Sequence, residues 1–108
     1  MPAYLYDQID VTVANYAEGQ SELVLKPTNV VRHLDAINTL IRTATVDLLV
    51  NIDRQRIIDI PTTTIRSDFE YSPLDRDLNP GEKLLVGFRN NSGGAITYTI
   101  VLRYYLPA

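Results

Sequence analysis

Three groups of residues in this chain have types and spacings that could do chemistry. The first is Asp75-x-Asp77-x-Asn79, where oxygen ligands recur at alternate positions as they do at the opening of a calcium loop. Such a loop needs Gly at its sixth position and Glu at its twelfth, and this chain has Pro80 and Val86 there. A looser site would have to recruit Asp68 or Glu70, and polar residues solvating a connection account for the same letters. The second is His33, the only histidine, two residues before Asp35. A triad needs a base oriented by one group and facing another, and no spacing brings His33 to Ser21, Ser67, Ser72 or Ser92. No serine lies in a Gly-x-Ser-x-Gly turn, so His33 reads as a surface histidine. The third is the set of carboxylates. Thirteen acids make neighbours such as Asp7 with Asp10, or Asp75 with Asp77, inevitable, so proximity alone carries no acid-base meaning. Gly93-Gly94 precedes a strand, whereas phosphate cradles open onto a helix. The expectation is a non-enzymatic chain with no catalytic residue, no cofactor and no metal ligand.

Recognition by aromatic side chains is the remaining chemistry. The chain has seven tyrosines and no tryptophan. Tyrosine offers a broad apolar face with a polar tip, which suits protein contacts and sugar stacking alike, although it also favours strands for its own sake. Because Trp, the residue best suited to stacking on sugars, is missing, a protein interface ranks ahead of a glycan. Composition narrows the partners further. Net charge is -3, which gives no bulk positive surface for nucleic acid. Eight of the ten basic residues are Arg, whose planar fork suits ion pairs on sheet surfaces and at subunit contacts. Cysteine is absent, so disulfides and thiolate metal sites are excluded. No apolar run reaches membrane-spanning length, and Met1-Pro-Ala-Tyr-Leu-Tyr-Asp lacks the form of a signal peptide. The expectation is a soluble protein with no membrane partner and no secretory leader.

The elements that must carry these groups read as strands. Lys83 to Asn90 and Ala95 to Tyr105 flank Asn91-Ser-Gly-Gly94 and predict a C-terminal hairpin. In its second run Ile96, Tyr98, Ile100, Leu102 and Tyr104 alternate with Thr97, Thr99, Val101, Arg103 and Tyr105, which places the first set on one face. Tyr98 and one of Tyr104 and Tyr105 are therefore expected in the core. Ile9, Val11 and Val13 mark a half-buried strand after an extended N-terminal arm over residues 1–8. Residues 15–20 read as a turn and 21–26 as a strand stopped by Pro27. Residues 45–52 and 56–60 read as a hairpin around Asp53-Arg-Gln55.

One more strand is expected between 62 and 71, around 64–66 or 68–71, and then a long polar connection over 72–82. Within that connection Asn79-Pro80-Gly81 has the residues of a type II turn. Residues 29–43 are ambiguous. Val30, Val31, Leu34, Ile37, Leu40 and Ile41 fall at helical spacing, and Thr28 or Asn29 is placed to cap a helix. Six of those fifteen residues are β-branched, and a bulge can shift the face of a long strand to give the same pattern. A short helix and a bulged strand both remain open. The whole reads as one domain, residues 1–108, mainly β, an antiparallel β-sandwich of a jelly-roll-like kind.

The order of elements, an N-terminal arm, paired strands, a long polar connection, then Asn79-Pro-Gly-Glu-Lys-Leu-Leu-Val-Gly-Phe-Arg-Asn-Asn91 and an alternating strand ending Leu102-Arg-Tyr-Tyr-Leu106, resembles the compact jelly-roll accessory proteins of phage and virus capsids, such as decoration and turret proteins. The resemblance implies a structural protein that forms a symmetric oligomer on a larger particle, hence a virion location in place of the cytoplasm. Independently, the chain's ends carry Tyr4, Leu5, Tyr6, Tyr104, Tyr105 and Leu106, apolar material that a monomer would have to cover. These six residues are the expected subunit interface. The rival expectation is a carbohydrate-binding module that uses tyrosines with Asp and Asn as hydrogen-bond partners.

Overall fold

The computed structural model describes residues 3–65 and 73–107. Among them the chain forms eight strands: β1 (Leu5–Val13), β2 (Ala17–Glu22), β3 (Arg32–Thr39), β4 (Val46–Ile52), β5 (Gln55–Pro61), β6 (Pro73–Leu78), β7 (Leu84–Asn90) and β8 (Ile96–Tyr105). A single 3-10 turn, Thr62–Thr64, follows β5. The strands make two antiparallel four-stranded sheets, ordered β1-β8-β3-β6 and β2-β7-β4-β5. Sequence-distant strands pair outermost to innermost, β1 with β8, β2 with β7, β3 with β6 and β4 with β5. Rolling such a four-layered hairpin over itself, so that β8 also pairs β3 and β7 also pairs β4, gives the jelly roll.

Alternation drives the packing. In β4, Val46, Leu48, Val50 and Ile52 face inward, and in β7 so do Leu84, Val86 and Phe88. They meet Ile100 and Leu102 of β8, Val11 and Val13 of β1, and Leu34 and Ile37 of β3 from the opposite sheet. The Phe88 ring stands edge-on to Tyr98 with centroids 5.4 Å apart, so the two sheets interlock through an aromatic pair.

Several expectations change. The C-terminal hairpin is not one: β7 and β8 lie in different sheets, and the Asn/Ser/Gly stretch crosses the sandwich. Asn90 holds that crossing, donating from Nδ2 to Val13 O, Ala14 O and Gly94 O at 3.1, 3.3 and 2.7 Å. Residues 29–43 hold no helix; the segment is β3, whose register shifts between Leu34 and Ala36. The displaced residue is Asp35, and the bulge lets Leu34 and Ile37 both reach the core at a spacing of three, which imitates a helical period. Leu40 and Ile41, on the imagined apolar helix face, lie beyond the strand and are exposed.

β2 begins at Ala17, so the expected turn over 15–20 shrinks to Asn15-Tyr16 and the expected strand over 21–26 ends at Glu22. The polar connection over 72–82 contains β6, an edge strand whose charges answer to solvent. Of the strand expected between 62 and 71, the first part is the 3-10 turn and residues 66–72 lie outside the described residues. The Asn79-Pro80-Gly81 turn forms as expected, with Gly81 at φ +89° and the Glu82 N–H donating to Asn79 O at 3.1 Å. Residues 5–8 of the arm are the first half of β1, paired with residues 101–104 of β8.

Candidate functional site

The outer face of the first sheet gathers the chain's chemistry at one end. The β3·β6 register sets His33 opposite Asp77, and the β3·β8 register sets it opposite Tyr105. His33 Nδ1 lies 2.7 Å from Asp77 Oδ1, and Nε2 lies 2.9 Å from Asp75 Oδ1. Asp75 reaches that position from a left-handed backbone, φ 49°, which turns its carboxylate to the far side of the ring. Tyr105 stacks on the imidazole with centroids 4.8 Å apart. Beside them Arg103 is held by Asp35, Nε to Oδ2 at 2.6 Å, and its guanidinium lies 4.5 Å from the centroid of the Tyr4 ring. Tyr4 in turn meets Tyr105 edge-on at 6.0 Å.

The electrostatics of His33 follow from this geometry. Ionised carboxylates only accept, so both ring nitrogens are matched only when both donate, which is the imidazolium form. Burial pushes the His33 pKa down, but the ring's hydrogen bonds to Asp77 and Asp75, with the negative charge of those carboxylates, outweigh it and the net shift is upward. Held this way, the ring has no lone pair to offer a nucleophile. Its partners are aspartates and not the serines considered from sequence: Ser92 donates to Gly94 O, and Ser67 and Ser72 lie outside the described residues. Among the described residues, no group of three His, Cys, Asp or Glu side chains is placed to hold a metal ion. Asp75 and Asp77 sit in a strand and not in a loop, and both are turned to His33.

A titration tests the arrangement. A raised folded pKa means that the stabilisation is complete below the unfolded value of about 6.5 and is lost as pH rises through the folded value. The His33 Cε1 proton resonance should therefore titrate above about 6.5, and Asp77→Asn should bring its midpoint down. Unfolding midpoints in urea should fall as pH rises through that midpoint, and His33→Gln should remove the dependence. A midpoint below 6.5 in the unmodified chain would refute the double contact.

Comparison with protein-family models, with curated proteins and with solved structures found no match to this chain in any of the three. Its own geometry is therefore the ground for a functional reading.

The six residues expected at an interface divide. Tyr104 turns inward, is buried, and donates its hydroxyl to Lys26 O at 2.8 Å, so it is a core residue and not a contact. Tyr105 is half-buried against His33 and Tyr4. Tyr4, Leu5, Tyr6 and Leu106 are exposed, Tyr6 most of all at 59%. The β1·β8 register sets Tyr6 opposite Arg103 on the outer face, and Leu5 opposite Tyr104 on the inner one, so the exposed residues share one end of the sheet but not one face.

The outer face of the second sheet carries a network that sequence reasoning did not place. Arg89 of β7 binds Glu18 of β2 at 3.0 Å, Asp47 of β4 at 2.9 Å and Asp59 of β5 at 2.9 Å, spanning all four strands. Arg56 adds contacts to Glu18 and Asp59. The hydrogen bond from Arg89, against a smaller opposing effect of burial, holds the Asp59 carboxyl below its usual range. Arg89→Met leaves three carboxylates facing one another, and its expected cost is about 1–2 kcal/mol at low salt. The cost should shrink in about 1 M NaCl, where the Debye length is roughly 3 Å. Urea unfolding at both salt levels checks this, and equal stability of variant and parent at low salt would show the network to be inert. Because the Asp59 pKa is lowered, its contribution is present above the unfolded value and is lost as pH falls through the folded one.

At the opposite edge of the sandwich, β5 and β6 border an open groove of about 380 Å³ lined by Ile57, Ile58, Pro73, Leu74, Asp75 and Arg76. The segment joining those strands includes residues outside the described ones, so the groove supports no site. Among the described residues no helix is long and apolar enough to cross a membrane.

Proposed function

We propose that this chain is a non-enzymatic structural protein that assembles as a symmetric homo-oligomer, a capsid-associated component of the kind its strand pattern resembles. Two observations support the reading. The jelly roll recurs in viral capsid and lectin domains, which is an argument by fold analogy only. The observation that carries it is the exposure of Tyr4, Leu5, Tyr6 and Leu106 at one end of β1 and β8, with Tyr4 and Tyr6 on the outer face of the sheet.

Absolute mass by light scattering after size exclusion, across a range of concentrations, tests the proposal. A discrete oligomer is expected, and Tyr6→Ser combined with Leu106→Ser should lower its mass while leaving the unfolding midpoint unchanged. Removing residues 2–8 is a poorer test, because residues 5–8 belong to β1 and their loss disturbs the fold itself. A persistent monomer counts against assembly.

A second reading, glycan binding, draws on the same face, where Tyr4 and Tyr6 stand beside the Arg103–Asp35 pair and the carboxylates around His33. Polysaccharide pull-down and a glycan array separate the two.

A further inference from the structure

Among the described residues β1 is an edge strand of its sheet, and its backbone groups alternate in direction along it. The Leu40 N–H donates to Thr99 O at 3.1 Å, so Thr99 and every second residue from it in β8 direct their backbone groups to β3. The alternate residues, Ile96 to Tyr104, therefore bond β1, and the register gives their partners as Val13, Val11, Ile9, Asp7 and Leu5. The backbone N–H and C=O groups of Tyr6, Gln8, Asp10 and Thr12 therefore point away from β8, toward an edge with no neighbouring strand among the described residues. The Gln8 N–H bonds to its own Asp7 Oδ1 at 2.8 Å, consistent with that outward direction.

The other three edges are blunted. β5 carries a register shift and ends at Pro61, and β6 begins at Pro73 with Asp75 in a left-handed conformation. β2 turns Glu18, Gln20 and Glu22 outward, since the Leu23 N–H bonds Leu84 O, and a symmetric pairing about Gln20 would oppose Glu18 to the partner's Glu22. β1 is nine residues long, regular in register throughout, and has no proline.

Resting on the assembly reading above, we propose that β1 pairs antiparallel with β1 of a second copy across a twofold axis, joining the two outer sheets edge to edge. Residues paired across such a contact share a face, so the axis must pass through a residue position and not between two. An axis at Asp7 or Asp10 sets like charges directly against each other. An axis at Gln8 or Ile9 does not: in the first Tyr6 faces Asp10 of the copy, in the second Gln8 faces Asp10. Either register sets a residue of the copy beside Tyr6, the most exposed apolar residue at this end. The Asp7 carboxylate on the Gln8 N–H competes with the partner strand, which makes the contact reversible and concentration-dependent.

The absence of cysteine makes the test direct. Single variants Asp7→Cys, Gln8→Cys, Ile9→Cys and Asp10→Cys are oxidised at concentrations where light scattering shows an oligomer. Only Gln8→Cys or Ile9→Cys should form a disulfide-linked dimer, because only an axial residue meets itself at bridging distance. In the unmodified chain, the amides of Tyr6, Asp10 and Thr12 should gain roughly tenfold or more protection from hydrogen exchange as concentration rises. Ile9 and Val11, already bonded to β8, should change less. An oligomer with neither cross-link and unchanged exchange along β1 overturns this pairing and leaves assembly standing. A monomer at every concentration overturns both.

Discussion

Gly87→Ala is expected to cost about 4 kcal/mol and to detach β2 from its sheet. A Cβ at Gly87 would lie 1.8 Å from Gly19 O and 2.7 Å from Gln20 Cα. Both are backbone atoms, so no side chain can rotate to make room, and β2 would have to withdraw by more than an ångström. Gly87 sits in β7 between β2 and β4, opposite Gln20 on one side and Leu49 on the other. Gln20 uses this closeness: its Nε2 reaches over to Asn51 Oδ1, Leu85 O and Leu49 O at 3.2–3.4 Å. Displacing β2 also pulls on Leu23 and Leu25, buried core residues that follow it directly.

For a domain of this size, each kcal/mol lowers the unfolding temperature by about 4–8 °C, so a fall of roughly 15–30 °C is expected. Gly19→Ala is the control. Its nearest contact is Val13 Cγ2 at 3.2 Å, a methyl group that can give way, and its expected cost is below about 1 kcal/mol. Thermal unfolding of the two variants, followed by circular dichroism, should separate them widely, and similar midpoints would contradict the clash.

Sequence showed elements better than it showed partners. Alternation in Val46 to Ile52 and in Ile96 to Tyr105 located β4 and β8, because a half-buried strand writes its own period into the chain. Elements without that period were missed for specific reasons. β6 is an edge strand with Pro73, Asp75, Arg76 and Asp77, and exposure on that edge removes the apolar half of the pattern. β2 has Gly19 where a side chain would meet Val13, and a glycine between polar residues reads as a turn.

Pairing was harder still. A short Asn/Ser/Gly link can close a hairpin or cross between sheets, and only the contacts of Asn90 with Val13, Ala14 and Gly94 select the crossing. The same limit applied to the site. His33 and the Asp75-x-Asp77 pair were both visible, but they lie 42 and 44 residues apart and meet only through the β3·β6 register. Tyr104 and Tyr105 were equivalent by type; the phase of β8 sends the first to the core and the second to His33.

Arg32→Met is expected to destabilise by about 3 kcal/mol, and Arg32→Lys by at least as much. Arg32 is a charged residue with only 3% of its surface exposed, at the start of β3. Its guanidinium donates to three backbone carbonyls: Nη1 to Leu25 at 2.7 Å, Nε to Val30 at 3.1 Å and Nη2 to Asn79 at 3.2 Å. Those carbonyls belong to the segment leading from β2 into β3 and to the turn after β6, so one planar fork ties both to the strand between them. Two effects oppose each other. Removing the side chain's charge relieves the desolvation of a buried cation, which alone would stabilise. Removing its donors loses three charge-assisted bonds, each worth about 1.5–3 kcal/mol and not additive. The Leu25 carbonyl, beside a side chain with no exposed surface, is the one least able to recruit water, so the loss should prevail. Lysine decides between charge and shape: it keeps the cation in the same buried position but cannot span Leu25 and Asn79 with one rigid group. Urea unfolding of both variants measures the balance. Rescue by lysine would make the charge the important quantity, and a methionine variant as stable as the parent would show that water replaces the fork.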